Sequence, residues 1–191
     1  TSEQAVGEFW LNQNEGYPTV SEDLRRGIVQ ALDLSQLTTV LTDGRGYKTK
    51  SMVTLEPVAC PGDPIGDRLP THDLDAASKS FAAAGYTANA NGRLADGDGT
   101  ELSFDIIYPN KWGQPMADAV ELMAQQLDAV GITSNIQGFD GPAFSKALFQ
   151  DHAFDIAWDP FTMDSPRLLR PLVATPENGG VINFSGINNP K

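Results

Sequence analysis

Two amphipathic helices that end in glycine, each followed by a strand-type run, constrain the fold of this chain more than any other feature. The first begins at Asp73, whose carboxylate suits an N-cap, and places Leu74, Ala77, Phe81 and Ala84 on one face before Gly85 closes it. After a turn at Asp96-Gly97-Asp98-Gly99 comes a strand from Leu102 to Tyr108, in which Leu102, Phe104, Ile106 and Tyr108 alternate with Ser103, Asp105 and Ile107. The second helix has Pro115 in its first turn, repeats Met116, Val120, Met123, Leu127 and Val130 at helical spacing, and stops at Gly131. A strand from Ile132 to Gln137 follows it. Helix and strand signals that alternate in this way require a layered α/β domain, with helices packed on a sheet.

The remaining segments extend the same alternation. Val6 to Asn12 reads as a strand, and Ser21 caps a helix with Glu22 and Asp23 in its first turn and a stripe of Leu24, Ile28, Ala31 and Leu32. A second short helix is expected after Ser35, stopping at Gly44. From Leu55 to His72 four prolines and two glycines preclude a regular element and imply a long connection. Beyond it, a helix from Pro142 to Gln150 capped by Asp140, a strand from Phe154 to Trp158, and a short helix opened by Ser165-Pro166 and interrupted near Pro171 complete the pattern.

Composition narrows the functional classes. A chain of 191 residues is long enough for one domain that buries roughly 70% of its unfolded surface. Its formal net charge of -12 would repel nucleic acid and anionic membranes at long range. The single Cys60 forms no disulfide within the chain, and His72 and His152 lie too far apart in sequence for a zinc motif, so neither metal nor cofactor is expected. Phosphate-loop, dinucleotide-turn and nucleophile-elbow motifs are missing, and the acid pairs at Asp73/Asp75 and Glu22/Asp23 sit at helix starts, where the helix dipole accounts for them. The Asp-Gly repeat lacks the ligand spacing of a calcium loop. No apolar run approaches a membrane span.

Four stretches taken together resemble the family 5 extracellular solute-binding proteins of ABC importers, the peptide, nickel and oligosaccharide class. They are Trp10-Leu11-Asn12 followed by the helix from Leu24 to Asp33, the Asp73–Tyr86 helix with its terminal Gly-Tyr, the helix end from Gln126 to Gly131-Ile132, and Phe154-Asp155-Ile156-Ala157. Two of these depart from the family's pattern, with Leu34 where an Arg is usual and Leu74 in place of a Pro. The resemblance implies a periplasmic-binding-protein type II-like lobe, a mixed sheet with flanking helices. It further implies that residues 1–191 form a single domain, the second, C-terminal lobe of a two-lobed protein, truncated at both ends.

The same resemblance implies a function without catalysis. Such a protein captures oligopeptides outside the cytoplasmic membrane, in the periplasm or as a cell-surface lipoprotein, and hands them to ABC permease subunits; the missing N-terminal lobe is its other partner. An oligosaccharide or nickel receptor is the alternative within the family, and a hydrolase or protein-interaction domain the alternative outside it. In peptide-binding members the segment after the Phe-Asp-x-Ala strand carries an aromatic residue and an Asp that holds the peptide's α-amino group. The matching positions here are Phe161 and Asp164, although Asp164 also suits the start of the Ser165-Pro166 helix. Trp112, in a strand-to-helix loop, and Trp158, on a strand, are expected either to line the cleft or to fill the core. A hydrolase would instead bring carboxylates together in one pocket with displaced pKa values, whereas a receptor needs at most one functional Asp.

Overall fold

The computed structural model describes residues 7–47, 49, 68–161 and 166–188. Most of the proline-rich connection, including Cys60, and the segment holding Asp164 and Ser165 lie outside the described residues. The expected alternation is present as β1 (Phe9–Leu11), α1 (Glu22–Ala31), α2 (Leu34–Leu41), α3 (Leu74–Ala83), β2 (Thr87–Ala88), β3 (Leu94–Ala95), β4 (Ser103–Pro109), α4 (Gln114–Ala129), β5 (Thr133–Phe139), α5 (Gly141–Lys146), β6 (Ile156–Trp158) and α6 (Arg170–Val173). Four strands form one sheet in the order β1-β6-β4-β5. β4 runs parallel to β5 and β6, and β1 closes the edge antiparallel to β6, so the sheet is mixed. β2 and β3 form a separate hairpin.

Local chemistry explains where the elements start and stop. Ser21 accepts the Leu24 N–H, and Asp73 accepts the Ala76 N–H at 2.9 Å, each satisfying an amide that the helix itself leaves open. α2 begins earlier than its sequence suggests, because Asp33 accepts the N–H groups of Ser35 and Gln36, both at 3.0 Å. Asp140 precedes α5 but makes no capping bond; its carboxylate accepts from the Asn110 side chain at 3.4 Å instead. α5 is shorter than expected and passes into a π-helical turn over Ala147–Asp151. The short helix expected from Pro166 is present as a 3-10 turn over Pro166–Leu169 that passes directly into α6, and its character changes beside Pro171, which sits in the first turn of α6, where its missing N–H costs nothing. Asp96 accepts the N–H groups of Asp98 and Thr100, which fixes the Asp-Gly repeat as a turn. Gly131 takes φ 87°, and a Cβ there would lie 2.4 Å from the Gly92 carbonyl oxygen, so only glycine lets α4 end against the β2–β3 hairpin.

Both faces of the sheet are covered, giving three layers. On one face α1, α3 and α4 bury Leu24, Ile28, Phe81, Met116, Val120, Met123 and Leu127 against Phe104, Ile106, Ile156 and Trp158. The other face holds a smaller core of Trp10, Ile107, Phe144, Leu148, Phe154, Ala157, Leu172 and Phe184. Ile107, assigned by alternation to the polar side of its strand, is fully buried there, because parallel strands in this class are covered on both sides. Leu74, by contrast, is 52% exposed and contributes little to the α3 stripe, which rests on Ala77 and Phe81.

Candidate functional site

The carboxyl ends of β4, β5 and β6 point the same way, and the start of antiparallel β1 joins them. In open α/β sheets this edge is where loops present binding groups. Three connections leave it here: the turn Asn110–Trp112 leading to α4, Asp140 leading to α5, and Asp159-Pro160-Phe161 after β6. At the opposite, amino end the loops are tied down by a polar network. Asn12, fully buried, donates to the carbonyls of His152 (3.0 Å) and Phe154 (2.7 Å) and accepts from the backbone and side chain of Asn14. Tyr17 donates to the same His152 carbonyl, and His152 itself is bonded to the Phe184 carbonyl at 2.9 Å. Both histidines are occupied structurally, since His72 contacts the Gln30 carbonyl at 3.1 Å.

The expected site residues divide between core and edge. Trp112 follows β4, half-buried, with the Lys111 ammonium 5.2 Å from its ring centroid in a cation–π contact. Its indole Nε1 is enclosed and has no hydrogen-bond partner. Phe161 follows β6 and packs edge-on to Trp10, with centroids 5.9 Å apart. Both therefore stand beyond the carboxyl ends of adjacent strands. Trp158 is only 3% exposed, its Nε1 donating to the Met123 sulfur at 3.3 Å and its ring 5.7 Å from Phe9, so here it is part of the larger core. Asp164 lies outside the described residues.

Three charged residues at this edge were not singled out by the sequence. Glu8 stands just before β1, and its Oε1 is closed off from solvent without a hydrogen-bond partner. Burial, and then the charge of Asp159, push its carboxyl up to about 8. Asp159, just past β6, is pushed up to about 6 by burial, against the opposing pull of Lys111. The strand-flanking positions of Glu8 and Asp159 were visible in the sequence, but their juxtaposition depends on the register of β1 against β6, which no local pattern encodes. α4, which starts at the same edge, has no side chain capping its first-turn amides.

A displaced carboxyl pair was expected only of a hydrolase, and its presence needs explanation. General acid–base work requires the carboxyl to reach a substrate proton. Glu8 lines neither of two cavities found among the described residues. One, of about 200 Å³, lies between α3 and the β2–β3 hairpin, and the other, of about 520 Å³, lies at the amino end of β4 beside Tyr17, Tyr86, Asp96 and Glu101. Among the described residues no three His, Cys, Asp or Glu side chains converge as a metal site.

The family profile described as "Bacterial extracellular solute-binding proteins, family 5 Middle" matches residues 1–179. The chain belongs to that family. Three solved structures illustrate how far this family 5 chain shares its fold. The oligopeptide-binding protein AppA from Bacillus subtilis, in complex with a nonapeptide, is 17% identical with a TM-score of 0.77. A mannohexaose-bound periplasmic oligopeptide-binding protein from Thermotoga maritima is 20% identical with a TM-score of 0.75. NikZ from Campylobacter jejuni, in complex with Ni(L-His), is 12% identical with a TM-score of 0.78. Each aligns with 98% of this chain, and the chain spans 37% of the length of each. No curated protein matches its sequence. At these identities the likeness shows a common fold, the expected type II lobe with a mixed sheet and flanking helices. Family 5 proteins are extracytoplasmic solute-binding components of ABC importers, and among the described residues no helix is long and apolar enough to cross a membrane.

Proposed function

We propose that this chain is the second, C-terminal lobe of a two-lobed receptor that captures oligopeptides outside the cytoplasmic membrane and delivers them to ABC permease subunits. The parent protein is in this reading either periplasmic or a lipoprotein anchored at the cell surface. The observation that carries it is the composition of the carboxyl edge of the sheet. Two half-buried aromatic rings, Trp112 and Phe161, flank an acidic side at Asp159 and a cationic side made of Lys111 and the uncapped start of α4. A peptide has the complementary groups: an ammonium, a carboxylate and apolar side chains. A lobe that supplies one wall of a cleft presents such an edge as open surface.

Asp164 is the proposed anchor for the α-amino group, with Phe161 stacking beside it and Trp112 on the facing loop. Trp158 is left to the core. An ammonium about 4 Å from a carboxylate gains roughly 4 kcal/mol at an effective dielectric near 20, before desolvation is subtracted. One such acid is enough to separate charged from neutral ligands. A second reading, oligosaccharide, is favoured by the same aromatic rings, which suit sugar faces, and by the mannohexaose bound to the Thermotoga maritima protein. Calorimetric titration of the complete two-lobed protein with short peptides, before and after N-acetylation, separates the two. Binding that acetylation abolishes supports the acidic anchor, while no binding to either pool removes peptides and brings oligosaccharides forward.

A further inference from the structure

Glu8 and Asp159 oppose each other across the edge of the sheet. The register of β1 on β6 pairs Phe9 with Trp158, and the Asp159 N–H donates to the Glu8 carbonyl at 3.3 Å. The ladder thus runs one residue past both strands and sets Glu8 directly opposite Asp159. Opposed residues of an antiparallel pair send their side chains to the same face, with Cβ atoms about 4.5–5.5 Å apart. Trp10 and Ala157, two residues along each strand, belong to the smaller core, so by strand alternation both acids occupy that face at its rim.

Two ionised carboxylates in this position repel, and an edge strand bound to one neighbour only has little to oppose that repulsion. The Glu8 Oε1 is also enclosed and without a donor. Lys111, in the turn after β4, acts on Asp159 rather than on Glu8. Of the other charged groups on the described elements covering this face, Lys146 is engaged with Asp151 and Arg170 with the Asn178 carbonyl, and Arg167, in the turn before α6, has an interaction of its own.

We propose that Glu8 and Asp159 form an electrostatically coupled carboxyl pair, carrying one negative charge at neutral pH with the proton on Glu8, and that full ionisation loosens β1 from β6. Burial holds the proton on Glu8, and the charge of Asp159, which Lys111 supports and which therefore forms first, adds to that hold. Raising the pH adds a second negative charge to the wall of the candidate site and weakens the strand that bears it. The pair does not depend on which solute the site receives.

The linkage has a definite sign. An acid whose pKa is raised on folding binds more protons in the folded state, so stability falls as pH rises from the unfolded value to the folded one. For Glu8 that window runs from 4.5 to about 8, whereas Asp159 and Asp155, both at about 6, finish lower. The upper part of that window, from about pH 7 to 8, therefore reports chiefly on Glu8 among these three acids. Urea unfolding of the chain across this interval is expected to show a falling midpoint in the parent and a flat one in Glu8→Gln, with the two proteins equal at low pH. In Asp159→Asn the fall moves to lower pH but persists, because the neighbouring charge is gone while burial still favours the protonated Glu8. An unchanged fall in Glu8→Gln, or a flat parent profile, overturns the pair. If Glu8→Gln does not fold, carbon NMR titration of the parent's Glu8 carboxyl decides: a midpoint near 8 supports the pair, and one at the ordinary 4.5 refutes it.

Discussion

At the amino end of the sheet Asp155 is buried, yet its carboxylate accepts the Asp105 N–H at 2.8 Å, and the neighbouring Asn12 has both its donor and its acceptor engaged. At the carboxyl end Glu8 and Trp112 each enclose a polar atom that meets no partner. The same four strands carry both ends, so strand chemistry does not separate them. The difference lies in what the polar groups have to do. At the amino end the Asn12 network and the Asp155 carboxylate hold the loops that follow β1 and precede β6 with bonds completed within the chain, although the enclosed Ser134 hydroxyl near the start of β5 meets no partner. At the carboxyl end the groups are left incomplete, an arrangement that costs stability and persists where a surface serves something other than folding.

The contrast between the two tryptophans tests this division with the largest expected effect. Trp158→Ala should lower stability by about 3–5 kcal/mol, the usual cost of truncating a large buried aromatic side chain. Trp112→Ala should cost clearly less in urea unfolding, since its ring is half-exposed, while removing solute binding by the complete protein. Equal costs in the two variants would erase the distinction between core and edge.

A smaller effect is expected at Asn12. Asn12→Ala removes two donated and two accepted bonds at a buried position, a loss of about 2–4 kcal/mol at roughly 0.5–1 kcal/mol per bond. A variant as stable as the parent would mean that the amino end is not held by this network. The smallest effect has the opposite direction. Burial, partly offset by the bond from Asp105, pushes the Asp155 carboxyl up to about 6, so the folded protein loses stability as pH rises through the interval from 3.8 to 6. Asp155→Asn keeps an oxygen to accept the Asp105 N–H and removes the charge. It should match the parent below the unfolded pKa of 3.8 and exceed it by about 1–3 kcal/mol at neutral pH, as read from thermal midpoints. A loss at neutral pH would mean that the ionised carboxylate is worth more as an acceptor than its burial costs.

Much of the fold was legible because it is written in local chemistry. The caps at Ser21 and Asp73, the glycine stops at Gly85 and Gly131 and the α4 stripe all depend on residues within a turn or two of each other. Boundaries slipped where two local signals competed, as at α2, where Asp33 caps a helix that was expected to start after Ser35. The site was less legible. Trp112 and Phe161 were singled out and do follow the carboxyl ends of β4 and β6, but Trp158, equally aromatic, points into the core one position before Asp159. Alternation along a strand assigns opposite faces without saying which is covered.

By itself, the sequence determined the order of helices and strands, the layered α/β class and the family, because capping, periodicity and short motifs act over a few residues. Tertiary structure alone decided that both sheet faces are buried, that Ile107 belongs to a second core, and that Glu8 opposes Asp159. These outcomes rest on strand order and register between segments about 150 residues apart, set by the packing of the whole sheet rather than by any local preference.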